Sequence, residues 1–197
     1  MIEERQIRAE YNDQTITVYQ AYRKEIAIPA IKNQTFAPPF KITRMTWIKP
    51  SFLWMMYRSG WATKEGQEHI LKIKIKREGF EWALKNSCLS HFNKDIYNSV
   101  EEWRTIKNNS PVCIQWDPDR DIYLKPLDRR AIQIGLSGIA VEKYVNDWIV
   151  SIVDITSFSK RVHQLVINGN LEKAKSMFPK EETYFLNKIL INIIGTN

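Results

Sequence analysis

The sequence predicts an α+β fold: a single domain with a mixed, mostly antiparallel sheet of about five to seven short strands. Helices lie between the strands, and a helical cap closes the C-terminal end. Short β-branched segments alternate with segments of helical periodicity, and from residue 157 the pattern is helical alone. A length of 197 residues with 44% hydrophobic content fits one globular core. We divide the chain into an N-terminal arm (1–14), an α+β core (15–156) and a helical segment (157–197).

The first half of the core contains two strand patterns around one short helix. Residues 15–19 are rich in β-branched side chains and predict a strand. Residues 25–32 predict a short helix, which Pro29 limits to an early turn or a kink. Residues 69–76 alternate isoleucine with lysine, which predicts a strand with a basic outer face, placed at the edge of the sheet.

The second half predicts further helices and strands separated by one dense turn. Ser99 and Glu102 have the spacing of a capping box, which indicates a helix that ends near residue 109. The other expected elements are helices at 79–89 and 137–148, strands at 111–116, 123–127, 131–136 and 149–155, a turn at 117–121, and C-terminal helices interrupted at 168–170 and Pro179.

The stretch 44–61, RMTWIKPSFLWMMYRSGW, is the centre of the sequence. Residues 44–48 alternate as a strand does, Pro50 suits the first turn of a helix, and Gly60 is a natural C-terminal cap. The stretch holds three tryptophans and three cations and no acidic residue. It therefore predicts a strand, a tight turn and a buried helix next to concentrated positive charge.

The cations of this stretch predict an anion site. Arg44 and Thr46 share one strand face, with Trp47 on the other. Lys49 precedes the helix, where backbone N–H groups favour anions. Cations near indole rings suit a nucleotide or a phosphate-bearing chain. The alternative is a tryptophan-rich core whose cations extend into water, and this interpretation is favoured for Arg58.

Charge and composition narrow the classes of function. A formal charge of +7 favours anionic partners such as nucleotides or nucleic acid. The two cysteines lack metal-ligand spacing, and the sequence has no phosphate-binding glycine loop, dinucleotide fingerprint, HExxH motif or nucleophile elbow. Without a signal peptide or a long apolar run we expect a cytoplasmic protein with no membrane partner.

Four segments carry a resemblance to a known family. The stretch 44–61 together with VYQAY (18–22), QWDPDRD (115–121) and IQIGL (132–136) resembles a widespread family of unknown function from bacteria and fungi. The resemblance extends over nearly the whole chain. It implies family membership and no activity.

A second resemblance, at the level of the fold, concerns residues 18–22 and the helix after them. They are similar to the opening of NAD-dependent ADP-ribosyltransferases, where a strand ends in an aromatic and a polar residue. This implies a nucleotide-binding enzyme that uses NAD, with a nucleic-acid or protein acceptor. Gln20 stands where histidine is common, and the late catalytic glutamate is matched in order by Gln133 or, less well, by Glu142.

The resemblance and the cations together imply a set of ligand contacts. Tyr22 and Gln20 contact ribose and base, Arg44 and Lys49 the pyrophosphate, and Trp47 forms a wall of the cleft. The expected ligand-binding residues are Tyr19, Tyr22, Arg44, Thr46, Trp47, Lys49, Arg58, Trp116 and Arg120.

The acidic turn offers a weak metal site. Asp117, Asp119 and Asp121 alternate as hard-cation ligands do, but the glycine and distal glutamate of an EF-hand are missing. We therefore favour a structural role over Mg²⁺ binding, with Asp117 and Asp119 as the candidate ligands. We predict no dedicated metal site.

Two other functions remain open from the sequence. In a binding module for RNA or single-stranded DNA, aromatic side chains stack bases while basic residues follow the phosphates. The basic residues are Lys72, Lys74, Lys76, Arg44 and Arg58. A purely structural or partner-binding role is the third interpretation.

Overall fold

The strands form three sheets in the computed structural model, which describes residues 5–196. One sheet has the order β2-β4-β8, the second β3-β7-β6-β5, and the third pairs β1 with β9. The strands are β1 (Arg8–Ala9), β2 (Thr15–Tyr22), β3 (Thr46–Ile48), β4 (His69–Lys76), β5 (Ser87–Leu89), β6 (Val112–Arg120), β7 (Pro126–Leu136), β8 (Ile149–Asp154) and β9 (Glu182–Thr183).

Helices separate these strands and follow the last long one. They are α1 (Lys24–Asn33), α2 (Phe52–Ser59), α3 (Arg77–Lys85), α4 (Val100–Asn109), α5 (Ile139–Lys143), α6 (Thr156–Ile167), α7 (Leu171–Ser176) and α8 (Lys188–Ile194), with a π-helical turn at Tyr144–Trp148. Ser99 caps α4 by accepting the Glu102 N–H, and Gly60 ends α2 in the left-handed conformation, as predicted. No helix within residues 5–196 combines the length and the apolar composition needed to cross a bilayer.

The two larger sheets are joined through one backbone pair. Tyr19 donates its N–H to the Lys49 carbonyl at 2.7 Å, and Lys49 returns its N–H to Tyr19 at 3.3 Å. All strand pairs are antiparallel apart from β5 with β6. The mixed, mostly antiparallel α+β fold is therefore confirmed.

Two core clusters pack on opposite sides of the β2-β4-β8 sheet. The larger contains Val18 and Ile73 from the sheet, and the smaller contains Tyr19 with residues of α2. Successive residues of a strand face opposite ways, so Gln20 lies on the side of the larger cluster. This alternation brings a polar residue into an otherwise apolar interior.

The lysine-rich strand is not at a sheet edge, contrary to the sequence prediction. β4 is hydrogen-bonded on one side to β2 and on the other to β8. Its lysines are accommodated because they lie on the face with fewer apolar neighbours, where Lys72 pairs with Glu10 at 2.8 Å. Alternation therefore indicated a strand correctly, but it did not distinguish an exposed face from an exposed edge.

Three predictions of element boundaries are also wrong. The helix expected at 79–89 ends at Lys85, and Ser87–Leu89 joins the sheet beside β6 because backbone pairing overrides helical propensity. The turn expected at 117–121 is strand up to Arg120, and the chain turns at 121–125 instead. The strands expected at 123–127 and 131–136 are one continuous strand, β7.

The N-terminal arm is paired rather than loose. Arg8 lies opposite Thr183 in the short β1-β9 sheet, and Tyr11 donates its hydroxyl hydrogen to the Thr183 carbonyl at 2.9 Å. Residues 1–4 of the expected arm lie outside the described residues. The C-terminal segment thus contacts the start of the chain and the base of α2.

The base of α2 is closed by a carboxyl group from the C-terminal segment. Glu181 accepts the Phe52 N–H at 2.6 Å, and Ser51 accepts the Trp54 N–H. Burial raises the pKa of Glu181 to about 8, opposed by the Phe52 N–H and reinforced by Asp119. Two of the N–H groups expected to favour an anion at this helix start are therefore already used, by Glu181 and Ser51.

We expect Gly79→Ala to destabilise the fold. A Cβ at Gly79 would lie 2.4 Å from Cγ of Trp148, so the indole or α3 would have to move. The clash should lower the free energy of unfolding by about 1–3 kcal/mol, although alanine alone would favour the helix. Urea unfolding measures the change, with the exposed Lys85→Ala as control. A Gly79→Ala protein as stable as the wild type would contradict this packing.

We expect Glu181 to make stability fall as pH rises. Its folded pKa, about 8, lies above its ordinary value of 4.5, so the folded state holds the proton more tightly across that window. Across this window the free energy of unfolding of the wild type should fall by at most about 1.4 kcal/mol per pH unit. Glu181→Gln, which keeps a neutral acceptor for Phe52, should not show this fall. Urea unfolding from pH 5 to 8 tests this, with the exposed Glu182→Gln as control. Parallel pH profiles for Glu181→Gln and wild type would refute it.

Candidate functional site

A cleft of about 780 Å³ opens where the two larger sheets meet. Residues from the end of β2, from β3 and the loop before it, from α2 and from the polar face of β6 and β7 line it. Five lining residues are cations, and among the lining residues within 5–196 none is acidic. The cations are Arg23, Lys41, Arg44, Lys49 and Arg58.

The cations differ in how far they are neutralised. Arg23 lies 3.8 Å from Glu25, at the outer limit of an ion pair. Arg44 and Arg58 are exposed and form no ion pair with any carboxylate among residues 5–196. Like charges held together without counterions raise the local potential. The cleft is therefore suited to an anion with more than one negative charge.

A hydrogen-bonded network around Gln20 forms the floor of the cleft. The Gln20 amide nitrogen lies 2.7 Å from Thr46 Oγ1, 2.9 Å from Tyr22 Oη and 3.1 Å from the Trp47 carbonyl. Its carbonyl oxygen accepts the Tyr144 hydroxyl at 2.8 Å. Two amide hydrogens already face three acceptors, so Gln20 has no donor to spare for a ligand.

Tyr22 and Thr46 are the polar groups that this network holds at the cleft. Their oxygens lie 2.8 Å apart, and burial raises the pKa of Tyr22 to about 12. The phenol therefore stays protonated at neutral pH, although Thr46, Gln20 and Arg44 favour the phenolate. Phe36 and Phe40 pack edge-on against the same ring, at 5.4 and 6.0 Å between centroids. Rigid packing fixes the position of the phenol.

Lys49 is the buried cation of the cleft. Lys49 lies in the segment that joins β3 to α2 and is only 6% exposed. Its Nζ donates to the Trp47 carbonyl at 3.2 Å. Nζ also lies 5.7 Å from the centre of the Trp54 ring. Burial, with a further contribution from Arg58, lowers the pKa of Lys49 to about 7, and Asp117 opposes the shift.

Trp47 forms one wall because Gly135 leaves room for it. The two residues are directly paired between β3 and β7, and a Cβ at Gly135 would lie 3.0 Å from the indole. Glycine thus lets the ring lie over the sheet beside Met45. The wall is aromatic and half-exposed, as stacking on a base would require.

A polar trio occupies the same face of the sheet. Gln115 and Gln133 are paired across β6 and β7, and both donate amide hydrogens to the Asp117 carboxylate. Gln115 lies 3.0 Å from Asp117. Both glutamines line the cleft, with the carboxylate held by them. Negative charge is therefore available near the cleft even though none of the described lining residues is acidic.

The structure brings eight of the expected site residues together. They are Gln20, Tyr22, Arg44, Thr46, Trp47, Lys49, Arg58 and Gln133. Gln115 was not among the expected residues, and only the pairing of β6 with β7 reveals its role. Arg23 and Lys41 were also missed, because no pattern in the sequence places their segments beside the stretch 44–61.

The other expected residues lie elsewhere. Tyr19 is fully buried in the smaller core, and Trp116 donates its indole N–H to the Ile194 carbonyl at 2.8 Å. Arg120 stacks over the Tyr57 ring at 3.5 Å, and Glu142 is exposed on α5, outside the cleft. None of the four lines the cleft, although Tyr19 Oη and Arg120 Nε are buried without a hydrogen-bond partner among residues 5–196.

The aspartates of the expected turn are separated by the strand. Asp117 is held by the glutamines, whereas Asp119 accepts from Arg129 at 2.8 Å and from Ser51 at 3.2 Å. Asp121 accepts the Tyr123 and Lys125 N–H groups and stabilises the turn. No group of three or more potential metal ligands occurs within residues 5–196.

The fold and the cleft define an α+β protein with a basic cleft between two sheets. The chain belongs to the family described as "Domain of unknown function (DUF4291)", whose model matches residues 6–184. No curated protein matches the sequence. The expected membership of an uncharacterised family is thereby confirmed, and it carries no activity with it.

We expect Tyr144→Phe to destabilise the protein through the floor of the cleft. Removing the hydroxyl leaves the buried Gln20 carbonyl oxygen without its donor, which should cost about 1–3 kcal/mol. Thermal and urea unfolding measure the loss. Tyr123→Phe, at a tyrosine that is 55% exposed, is the control and should change little. Equal stabilities for both variants would show that the network is not important for stability.

Proposed function

We propose that this protein is a nucleotide-binding enzyme, an ADP-ribosyltransferase-like transferase that uses NAD and modifies a nucleic-acid or protein acceptor. The observation that carries the proposal is a cleft lined by five cations and no described acid, with a half-exposed indole and a fixed phenol beside them. A pyrophosphate provides the clustered negative charge, and a base and a ribose provide the aromatic and hydroxyl groups.

The segments that carry the resemblance to ADP-ribosyltransferases lie together at the cleft. The resemblance assigned a first polar residue to the strand of Gln20, a second motif to the stretch after Arg44, and a late residue to Gln133. These three segments come from β2, β3 and β7, and all of them line one cleft. This convergence supports the transferase interpretation over a cleft that binds nucleotides without chemistry.

The residues present fit the pyrophosphate better than they fit the reacting ribose. Arg44 and Arg58 would hold the phosphates, and Trp47 would stack on a base. NAD would supply the ADP-ribosyl group, with nicotinamide as its leaving group. Gln133 cannot itself stabilise an oxocarbenium-like transition state as a carboxylate does.

We assign the electrostatic role of that carboxylate to Asp117. Gln115 and Gln133 donate to it and line the cleft, so its charge is held in a fixed position beside the cleft. We assign Gln20 the part of a positioning residue, because its amide is used to hold Tyr22 and Thr46. These assignments keep the expected residues in the site but change how two of them act.

A binding module for RNA or single-stranded DNA is the second proposal. The exposed cations Lys41, Arg44 and Arg58 in an open cleft favour it. The lysines of β4 do not line this cleft, and Lys72 is already paired with Glu10. The continuous basic surface along which a phosphate chain could bind is therefore shorter than the positions of the lysines in the sequence implied. The cytoplasmic location expected from the sequence stays a prediction.

We expect Arg44→Ala to weaken binding of NAD and ADP-ribose. Losing one charge-assisted contact to phosphate should cost about 1.5–3 kcal/mol, or roughly tenfold or more in Kd. Calorimetry at low and at high salt measures it. Arg104→Ala, at an exposed cation of α4, is the matched control and should bind as the wild type does.

The same titration separates the two proposals. Binding of ADP-ribose that survives salt, with release of nicotinamide from NAD on incubation, supports the transferase. Binding of a short single-stranded RNA alone, lost steeply with salt through counterion release, supports the binding module. Unchanged ligand binding by Arg44→Ala would remove this residue from the site.

A further inference from the structure

Lys49 has an environment that phosphate binding alone does not require. It is the only cation of the cleft that is almost fully buried among the lining residues within 5–196. Its Nζ has one hydrogen-bond acceptor, the Trp47 carbonyl, and forms no ion pair with any carboxylate in the described part of the chain. An ammonium group in this place has too few partners for a stable buried charge.

The surrounding groups favour the neutral amine. Burial has the largest effect, and Arg58 on α2 adds repulsion that Asp117 on β6 offsets only in part, so the pKa is about 7. The neutral form of Lys49 is therefore far more populated at neutral pH than that of a lysine at the ordinary pKa of 10.5. A neutral lysine amine is a nucleophile toward carbonyl carbon, and burial near other cations is the usual way to obtain one.

The rest of the cleft supplies what a carbonyl substrate with a phosphate group needs. Lys41 and Arg44 are exposed cations of the same cleft, whereas Lys49 is buried in it. A guanidinium group binds phosphate and does not act as a nucleophile. Arg44 therefore suits the phosphate of the substrate, and Lys49 suits its carbonyl carbon. Trp47, whose carbonyl accepts from Nζ, fixes the amine.

We propose that Lys49 forms an imine with the carbonyl carbon of a phosphorylated aldehyde or ketone bound in this cleft. This goes beyond nucleotide binding and requires no NAD.

The reaction is balanced without an oxidant or a reductant. The Nζ lone pair attacks the carbonyl carbon, and a carbinolamine forms as the carbonyl oxygen takes up a proton. That proton comes from the amine, and the nitrogen then loses its one remaining hydrogen as the C=N bond forms and the C–O bond breaks. One molecule of water leaves, made of the carbonyl oxygen and the two amine hydrogens.

Pyridoxal 5′-phosphate, a phosphorylated aldehyde, is the probe that tests the proposal. The full-length protein is incubated at pH 7 with less than one equivalent, reduced with borohydride and mapped by peptide mass spectrometry. Labelling of Lys49 should exceed that of the exposed Lys74 by at least about tenfold, because well under one per cent of an ordinary lysine is neutral at this pH. Labelling of Lys49 no greater than that of Lys74 would overturn the proposal.

Two controls test the phosphate and the amine separately. Pyridoxal, which lacks the phosphate, should label Lys49 several-fold less, and inorganic pyrophosphate should compete with the phosphorylated probe. Equal labelling by both aldehydes would overturn the phosphate part of the proposal. Lys74→Met, at an exposed lysine of β4 that does not line the cleft, should keep the Lys49 label, whereas Lys49→Met should lose it with the other labelled peptides unchanged.

The pH dependence gives a second measurement that needs no variant. Labelling of Lys49 in the wild type should rise with a midpoint near pH 7 and then level off, whereas exposed lysines continue to gain reactivity above pH 9. A Lys49 profile parallel to that of Lys74 would contradict a neutral amine. Failure to bind NAD would refute the transferase and leave this result unaffected.

Discussion

The pair of backbone hydrogen bonds between Tyr19 and Lys49 is the interaction on which the cleft depends. It joins a three-stranded sheet to a four-stranded one, between the middle of β2 and the residue that follows β3. Because residues alternate along β2, fixing Tyr19 also fixes Gln20, whose amide then reaches Thr46. The same pair holds the Lys49 backbone, so its side chain has little freedom to reach water. One local contact thus positions the floor of the cleft and its buried amine.

The cations of the cleft repel one another, and favourable contacts elsewhere in the fold offset this repulsion. Cations converge in it with no lining acid in the described residues, while the nearby Asp117 is restrained by two glutamines. At the start of α2, burial and, to a smaller extent, Asp119 disfavour the charged form of Glu181. Arg129 pairs with Asp119 there at 2.8 Å, whereas Arg44 and Arg58 have no such counterion among residues 5–196. Binding an anion in the cleft therefore relieves the repulsion among its cations.

The sequence predicted the helices and strands better than it predicted which of them lie next to each other. Alternation found β2 and β4, and the run from Pro50 to Gly60 marked α2, because these signals are local. Helical propensity misplaced residues 87–89, since only pairing with β6 decides their state. For the site, the concentration of cations around Lys49 was visible in the stretch 44–61. The part played by Gln115 was not, because it depends on strand register between distant segments.

The same lack of long-range information explains why two residues outside the cleft were expected to contact a ligand. Trp116 and Tyr19 have the chemical character of ligand contacts, and their neighbours in sequence do line the cleft. A strand places successive side chains on opposite faces, however, so adjacent residues have different surroundings. Trp116 is therefore enclosed by the C-terminal helix, while Gln115 faces the cleft.

The contact of Trp47 with Gly135 also has an optical consequence. The indole lies on the sheet at the wall of the cleft, partly open to solvent. Trp82 and Trp103 are also partly exposed but do not line the cleft, and Trp54, Trp61, Trp116 and Trp148 are buried. A molecule that stacks on Trp47 changes the polarity around one half-exposed fluorophore and leaves the buried ones as a constant background. The protein therefore carries its own spectroscopic reporter at the site, and its occupancy can be followed by intrinsic fluorescence without a label.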